Sequence, residues 1–360
     1  MILSDRISAF SHLGSFLKQF LKAFNSSSDH LADDSGQQLK LLVIQTSIQN
    51  QWFRQDDILL AIQSIANQMD KANIEAWLQG YSDAKGNSAP KNIGVIMAGN
   101  IPLAGFFDFF YVLMSGNKIS VKLSAQDDLL LPFLADYLVK LNPEFKEHIH
   151  FVQKLQHFDA VIASGSGNSS RYFEYYFGKV PHIIRKNRNS CAIFTGNETE
   201  EELKNLGKDI FSYFGAGCRN VSKLYVPDNY SFDEFFRAQE ENYPVIHNNR
   251  YANNYEYNKA IFLVKTIPFL DNGFLMIRED SVLNAPRAVL HYDFYTDINN
   301  LKEEIERCKN EIQCVVGQSQ LNAKLSTEVL PFGSTQNPNL NDYADHVDVW
   351  TFLNDLSSEC

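Results

Sequence analysis

Positive charge is scarce in this chain of 360 residues: 32 lysines and arginines stand against 43 aspartates and glutamates, a formal net charge of −11. Sequence-independent affinity for a phosphate backbone needs a basic surface, so nucleic-acid binding is excluded as the main role. The one basic cluster, Arg185, Lys186 and Arg188, is too small to alter that. Cysteine is scarce too. The five cysteines (Cys191, Cys218, Cys308, Cys314 and Cys360) are odd in number and lack Cys-x-x-Cys spacing, and no secretory segment is read before the fold. A disulfide framework is not expected; a reducing cytoplasm is. Metal-ligand clusters, carboxylate pairs at acid–base spacing, a Gly-x-Ser-x-Gly elbow and a fixed-period repeat are all missing, and the nine histidines are scattered. Metal catalysis and serine hydrolysis are therefore not expected.

What the chain does have is apolar mass. Hydrophobic residues make up 44 % and charged residues 21 %, the balance of an ordered globular protein whose length suits two domains. In the N-terminal stretch "ISAFSHLGSFLKQFLKAF", Ser8, Ser11, His12, Ser15, Lys18 and Gln19 rule out a membrane span. Phe10, Leu13, Leu17, Phe20, Leu21 and Phe24 recur at helical spacing instead and predict an amphipathic helix, docked either on the core or on a membrane surface. "NSSSD" ends it.

"DDILLAIQSIANQMDKANIEAWLQGY" predicts one or two helices begun by Asp56 or Asp57, with the loop "SDAKGNSAP" behind them. Alternation then sets in: strand "NIGVIMAGN", helix "AGFFDFFYVLMSGN" capped by Gly116, strand "KISVKLS", helix "LLLPFLADYLVKL", strands "HIHFVQ" and "DAVIASG", helix "SSRYFEYYFG", strand "HIIRKN". Such a pattern predicts a mostly parallel sheet with helices on both faces. A second cycle starts at "SCAIFTGNETEEELKNLGKDIFSYFG", with Asn197 or Thr199 as helix cap, and runs through strands "VSKLYVP", "GFLMIRE", "RAVLHYDFY" and "CVVGQ". The boundary between the cycles is expected near Thr195. "PFGSTQNPNLNDYADHVD", rich in Pro, Gly, Asn and Asp, reads as a long, loosely packed functional loop.

Four short stretches are candidates for chemistry. In "FSYFGAGCRNVSKLYVP", Gly215 and Gly217 clear space beside Cys218 and free backbone amides to face a developing oxyanion, while Arg219 adds a positive charge. Cys218 is either a nucleophile or a buried cysteine at a strand entrance; the other four cysteines lack glycine neighbours and read as core. "ASGSGNSSRYF" offers Gly165, Ser166, Gly167, Asn168, Ser169 and Ser170 to a phosphate at a helix N-terminus, or is a plain strand-to-helix turn. It is not Gly-x-Gly-x-x-Gly, because Ser170 stands at the third glycine. "VIMAGNIPLAG" puts Asn100 at a strand's carboxyl end, as oxyanion donor or as turn former. "ISVKLS" ends in Lys122 and Ser124, where the lysine meets a ligand or reaches solvent.

Taken in order, these four pieces resemble the aldehyde dehydrogenase superfamily and, more closely, its branch of fatty acyl-CoA (acyl-protein thioester) reductases of the bacterial luminescence type. The resemblance runs from about Asn92 to the C-terminus. "AGNIPLAG" is similar to the superfamily's Trp-Asn-x-Pro turn, "VKLS" to its Lys-Pro-Ser/Ala strand end, and "ASGSGNSSR" to its Thr-Gly-Ser-x-x-x-Gly turn with Ser170 at the second glycine. "FGAGCRNVSKLYVP" resembles the segment of the catalytic cysteine. "YFEYYFGKVPHIIRKNRNS" and "PFGSTQNPNLNDYADHVDVWTFL" are characteristic of the thioester-reductase branch.

The resemblance implies an aldehyde-dehydrogenase-like α/β fold of two mostly parallel three-layer domains: residues 1–194 as N-terminal helices and a Rossmann-like dinucleotide-binding domain, 195–335 as the catalytic domain, and 336–360 as a segment closing the site and packing back on the first domain. It implies Cys218 as nucleophile and Asn100 as oxyanion donor. Lys122 and Ser124 would face the adenosine ribose, and Gly165, Ser166, Asn168 and Ser169 would line the cofactor turn. Two departures refine this. Arg185 falls near the place where hydrolytic members keep a water-activating glutamate, so a thioester on Cys218 is expected to wait for hydride. Ala125 replaces the glutamate of NAD-preferring relatives, which favours NADPH; with no metal-ligand cluster in the sequence, no metal is expected. The expected activity is NADPH-dependent reduction of a long-chain acyl-CoA or acyl-protein thioester to fatty aldehyde. Oxidation of an aldehyde and non-redox acyl transfer are the alternatives. A homo-oligomer and an acyl-protein synthetase or transferase partner are implied as well. The aromatic helix "FFDFFYVLM" either lines an acyl tunnel or is sandwiched core.

Overall fold

Residues 1–25, 34–81, 90–165 and 167–356 are described by a computed structural model. The "NSSSD" stop beyond Asn25, the loop before Pro90, Ser166, the side chain of Asn168 and Cys360 lie outside the described residues. The apolar stripe of the N-terminus runs along α1 (Leu3–Asn25). Phe10, Leu13, Leu17, Phe20 and Leu21 are buried in the same cluster as the sheet, which decides for the core over a membrane surface. Phe10 packs edge-on against Phe110 at 4.9 Å, and Phe16 stacks on Tyr137 at 4.2 Å. Among the described residues no helix is long and apolar enough to cross a membrane.

The first of two units comprises Met1–Lys186 and Pro338–Cys360. After α1 come α2 (Asp34–Gln49), α3 (Gln55–Gln68) and α4 (Lys71–Gln79). The apolar pattern does not predict α2, because Leu41 and Ile48 are exposed while only Leu39 and Val43 of its larger apolar residues are buried. Then follow β1 (Asn92–Ile96), α5 (Phe106–Met114), β2 (Lys118–Lys122), α6 (Leu130–Leu141), β3 (Ile149–Phe151), β4 (Ala160–Ser164), α7 (Gly167–Phe177) and β5 (His182–Arg185). The five strands are all parallel in the order β3-β2-β1-β4-β5, so the winding reverses between β1 and β4. Ala160 and Ile162 face the large helical cluster, and Val161 and Ala163 face a second one with Phe173 and Phe177 of α7. Both faces are therefore covered, as parallel pairing requires. Phe106, Phe109 and Phe110 of α5 are fully buried; the aromatic helix is core.

The second unit, Asn187–Asn337, holds β6 (Asn189–Ile193), α8 (Glu200–Phe211), β7 (Val221–Pro227), α9 (Asp233–Ala238), α10 (Asn249–Val264), β8 (Leu270–Asp271), β9 (Met276–Glu279), β10 (Val289–Tyr295), α11 (Ile298–Cys308), β11 (Ile312–Gly317) and β12 (Val329–Leu330). Its sheet has the order β12-β11-β6-β7-β10-β9-β8, parallel except for β8. Strand β6, read from the sequence as preceding the Thr195 boundary, pairs with β7 and β11 and so lies inside this unit. Thr199 caps α8 in a reciprocal box with Glu202.

The chain closes with α12 (Val349–Asp355) in the first unit, where the Trp350 and Trp77 rings meet at 4.8 Å. The proline- and asparagine-rich segment before it is not loose, contrary to its composition. Tyr343 accepts from Trp77 Nε1 at 2.9 Å and its hydroxyl pairs with that of Tyr81 at 2.7 Å; in the second unit Thr335 is fully buried. Polar residues fill it because they satisfy its irregular backbone. The basic cluster is also broken up: Arg185 is buried and grips Asp108 of α5 with two nitrogens, Nη2 at 2.7 Å from Oδ1.

Two stability outcomes follow from this packing. Phe10→Ala is expected to lower unfolding free energy by about 3–5 kcal/mol in urea titrations, the loss of a large ring from a closed core. Arg185→Met or Asp108→Leu alone is expected to cost about 3–5 kcal/mol by stranding a buried charge, and the double variant to recover most of it.

Candidate active site

Parallel register sets the ends of three strands side by side in the first unit. Ile96 of β1 lies opposite Lys122 of β2 and opposite Ala163 of β4. Asn100, Lys122, Ser124, Gly165 and Ser169 consequently leave one carboxyl edge, at the point where the strand order reverses and open α/β sheets bind ligands. Asn100 is exposed, and Lys122, Ser124, Gly165 and Ser169 are half-buried. Helix α7 begins at this edge and directs its first N–H groups there, a favourable setting for a phosphate. Ser170 is 3 % exposed and packs inward, so it is removed from the candidates.

The turn that carries Asn100 is pressed against the loop after β2. A Cβ on Gly99 would stand 2.2 Å from Ser124 Oγ, so only glycine permits this approach. Beyond Asn100 the chain is held by Asp127, whose Oδ2 accepts the Leu103 N–H at 2.7 Å; Leu103 itself is left-handed, with φ 55°. The other oxygen of Asp127 is buried and has no hydrogen-bond partner. Burial pushes this carboxyl up to about 6, against the pull of the Leu103 bond and with a small further push from Asp128. Nothing in "LSAQDD" distinguishes Asp127 from its exposed neighbour, so sequence reasoning misses it.

In the second unit the thiol follows a strained approach. After α8, Tyr213, Phe214 and Gly215 are successively left-handed, with φ of 53°, 54° and 69°. Each non-glycine residue there costs roughly 1–2 kcal/mol, offset by burial of both rings, Phe214 against Tyr251 at 5.8 Å. Cys218 then lies half-buried at the amino end of β7. Its carbonyl accepts from Ser190 Oγ at 2.9 Å, and Ser190 Oγ in turn accepts the Cys314 N–H at 3.1 Å.

Asn220, 3 % exposed, ties the loop from the other side. Its Oδ1 accepts the Gly217 N–H at 2.8 Å, and its Nδ2 donates to the carbonyls of Asp209 and Ser212, each at 2.9 Å. The Gly217 amide is thus committed to Asn220. Arg219 points its Nη1 at Cys314 Sγ, 3.3 Å away. Cys191 and Cys314 are buried, and desolvation drives the Cys191 thiol far above its ordinary range.

Residues 17–246 match the family model described as acyl-CoA reductase (LuxC), nearly two thirds of the chain. The chain belongs to the acyl-CoA reductase (LuxC) family. It is an oxidoreductase of the acyl/aldehyde couple. Solved structures that resemble this reductase include aldehyde dehydrogenases. Aldehyde dehydrogenase 21 from Physcomitrella patens, solved with succinate, matches with a TM-score of 0.62 at 11 % identity over 97 % of this chain and 84 % of that one. A variant aldehyde dehydrogenase from Bacillus cereus has a TM-score of 0.62 at 12 % identity over 91 % and 76 %. A variant of aldehyde dehydrogenase C from Pseudomonas syringae, solved with NAD+ and octanal, has 0.60 at 11 % over 89 % and 74 %. At such identities the likeness establishes the fold, which is that of the aldehyde dehydrogenases. No curated protein matches the sequence.

The buried Asp127 has a pH signature. Its folded pKa lies above the unfolded value near 4, so its contribution to stability is full below about pH 4 and is lost as pH rises through 6. Asp127→Asn is expected to gain roughly 2–3 kcal/mol relative to the native chain between pH 4 and pH 7.5, read by urea unfolding at both values. A pH-independent difference would contradict the buried carboxyl.

Proposed function

We propose that this reductase converts a long-chain fatty acyl thioester, acyl-CoA or acyl-protein, to the fatty aldehyde through an acyl thioester on Cys218. The observation that carries the reading is the half-buried Cys218 thiol at the end of a strained, doubly anchored loop, in a member of the acyl-CoA reductase family. The Cys218 thiolate attacks the thioester carbonyl carbon, and the π electrons move to oxygen. Asn100, by its likeness to the superfamily's oxyanion asparagine, and the Cys218 backbone N–H are assigned to that oxygen. Collapse of the tetrahedral species expels the CoA or carrier thiolate and leaves the acyl group on Cys218.

The first unit's carboxyl edge fits a dinucleotide: it combines glycine, small hydroxyl residues, a helix N-terminus and a lysine at a reversal of strand order. Lys122 and Ser124 are assigned the adenosine ribose, and Gly165, Ser166, Asn168 and Ser169 the phosphates. With Ala125 in place of a carboxylate, Lys122 has room for a 2′-phosphate, which selects NADPH. When bound, NADPH supplies the hydride that turns the acyl group into aldehyde and returns the thiolate. Arg185, committed to Asp108, is no base for water, so the acyl group persists until it is reduced. The reading places the enzyme in the cytoplasm, as a homo-oligomer that takes acyl groups from CoA or from an acyl-protein synthetase or transferase partner.

Intact-mass spectrometry after exposure to a long-chain acyl-CoA is expected to show one acyl adduct on Cys218, lost on adding NADPH with release of aldehyde. Cys218→Ala is expected to lose adduct and at least about a thousandfold in reduction rate. An adduct indifferent to NADPH would point to acyl transfer, and NADP+-dependent acid formation from aldehyde without added thiol to the oxidative direction. Lys122→Ala is expected to raise the KM for NADPH roughly 10-fold or more, the loss of a charge-assisted contact, with a much smaller effect on NADH.

A further inference from the structure

Helix α8 starts after the carboxyl end of β6 and finishes ahead of the amino end of β7, so its last turn lies at the same edge as Cys218. Asp209 occupies that turn and is completely buried. Its Oδ2 accepts the Gly333 N–H at 2.6 Å, and its Oδ1 accepts the Thr335 N–H at 3.0 Å and the Thr335 hydroxyl at 2.8 Å. Its carbonyl accepts Asn220 Nδ2, and Asn220 in turn holds the amide of Gly217, next to Cys218. One residue therefore serves two segments, the main chain facing the thiol loop and the side chain facing residues 331–337.

We propose that Asp209 is a positioning residue that holds the segment 331–337 in register with the Cys218 loop. The inference rests on the Cys218 reading above. The segment leaves β12 at the opposite, carboxyl edge and is laid back along α8: Gly333, with φ 86°, passes so close that a Cβ would stand 3.0 Å from Asn205 Cβ, and two residues later Thr335 reaches Asp209. Phe332 anchors the start on Phe194 at 6.1 Å, and Gln336 Nε2 donates to Thr335 Oγ1 at 3.1 Å.

A carboxylate is a poor choice for the stability of α8 itself. Burial opposes its charge and pushes the acid up to about 6, and the three donors of the segment, helped by Lys208, work the other way. An apolar residue would pack the helix with no such conflict. What the carboxylate adds is direction: three donors converge on it and set the segment to within a hydrogen bond's tolerance, where a displacement of about 1 Å at a reacting group costs up to 100-fold in rate.

The test compares Asp209→Asn, Thr335→Val and Cys218→Ala as full-length enzymes with a long-chain acyl-CoA and NADPH, recording kcat, both KM values and Tm. Asp209→Asn keeps the shape but turns an amide NH2 toward a backbone N–H. The expected result is a kcat lower by roughly 10–100-fold with both KM values within about twofold, and a fall of about threefold to tenfold for Thr335→Val, which loses one donor of three. Wild-type kcat per folded molecule in both variants, with only Tm lowered, would overturn the proposal. Where Asp209→Asn does not fold, Thr335→Val decides alone on the same criterion. Undiminished reduction by Cys218→Ala would instead overturn the reading beneath it.

Discussion

Parallel pairing of β1 with β2 on one side and β4 on the other is the constraint on which the candidate cofactor site depends. Parallel neighbours cannot be joined by hairpins, so each connection crosses the sheet and returns to the same edge, as helix α5 between β1 and β2, α6 between β2 and β3, and an irregular segment between β3 and β4. Chain segments far apart in sequence, the Asn100 turn, the Lys122 strand end and the Gly165 turn, are thereby released together. The same pairing buries both faces, which is why "NIGVI" and "AVIAS" carry almost no polar side chains and why α5 is aromatic nearly all round.

A second constraint repeats at each loop that bears candidate chemistry. Irregular backbone pressed against a core must find partners, and here buried side chains supply them: Asp127 for Leu103, Asn220 for Gly217, Ser190 for the Cys218 carbonyl, Asp209 for Gly333 and Thr335. Two aspartates, Asp127 and Asp209, are buried at these joints, and a buried carboxylate without partners is costly. Left-handed turns at Leu103 and at Tyr213 and Phe214 store strain beside Asn100 in the first unit and Cys218 in the second.

Much of the architecture is legible in the residues. The α1 stripe, the alternation from β1 to β5, the Gly116 and Thr199 caps and the entrance to β7 are local patterns, and local patterns report faces and ends of elements directly. Helix α2 is not legible, since its exposed Leu41 and Ile48 blur the face, and β6 is assigned to the wrong side of the domain break because an apolar run does not name its neighbours. The looseness read into "PFGSTQNPNLNDYADHVD" fails for the same reason: its polar residues are partners of distant groups.

By itself the sequence determined the α/β class and the capped and striped helices, and it marked out the glycine-flanked Cys218 and the strand ends at Asn100, Lys122 and Gly165. These depend on neighbours within a turn or a strand. Only the tertiary structure decided which polar groups meet: Arg185 with Asp108 across 77 positions, Gly333 with Asp209 across 124, and the Gly217 amide with Asn220. A buried hydrogen bond is chosen by distance and desolvation in the folded chain, and no local period of the sequence encodes either.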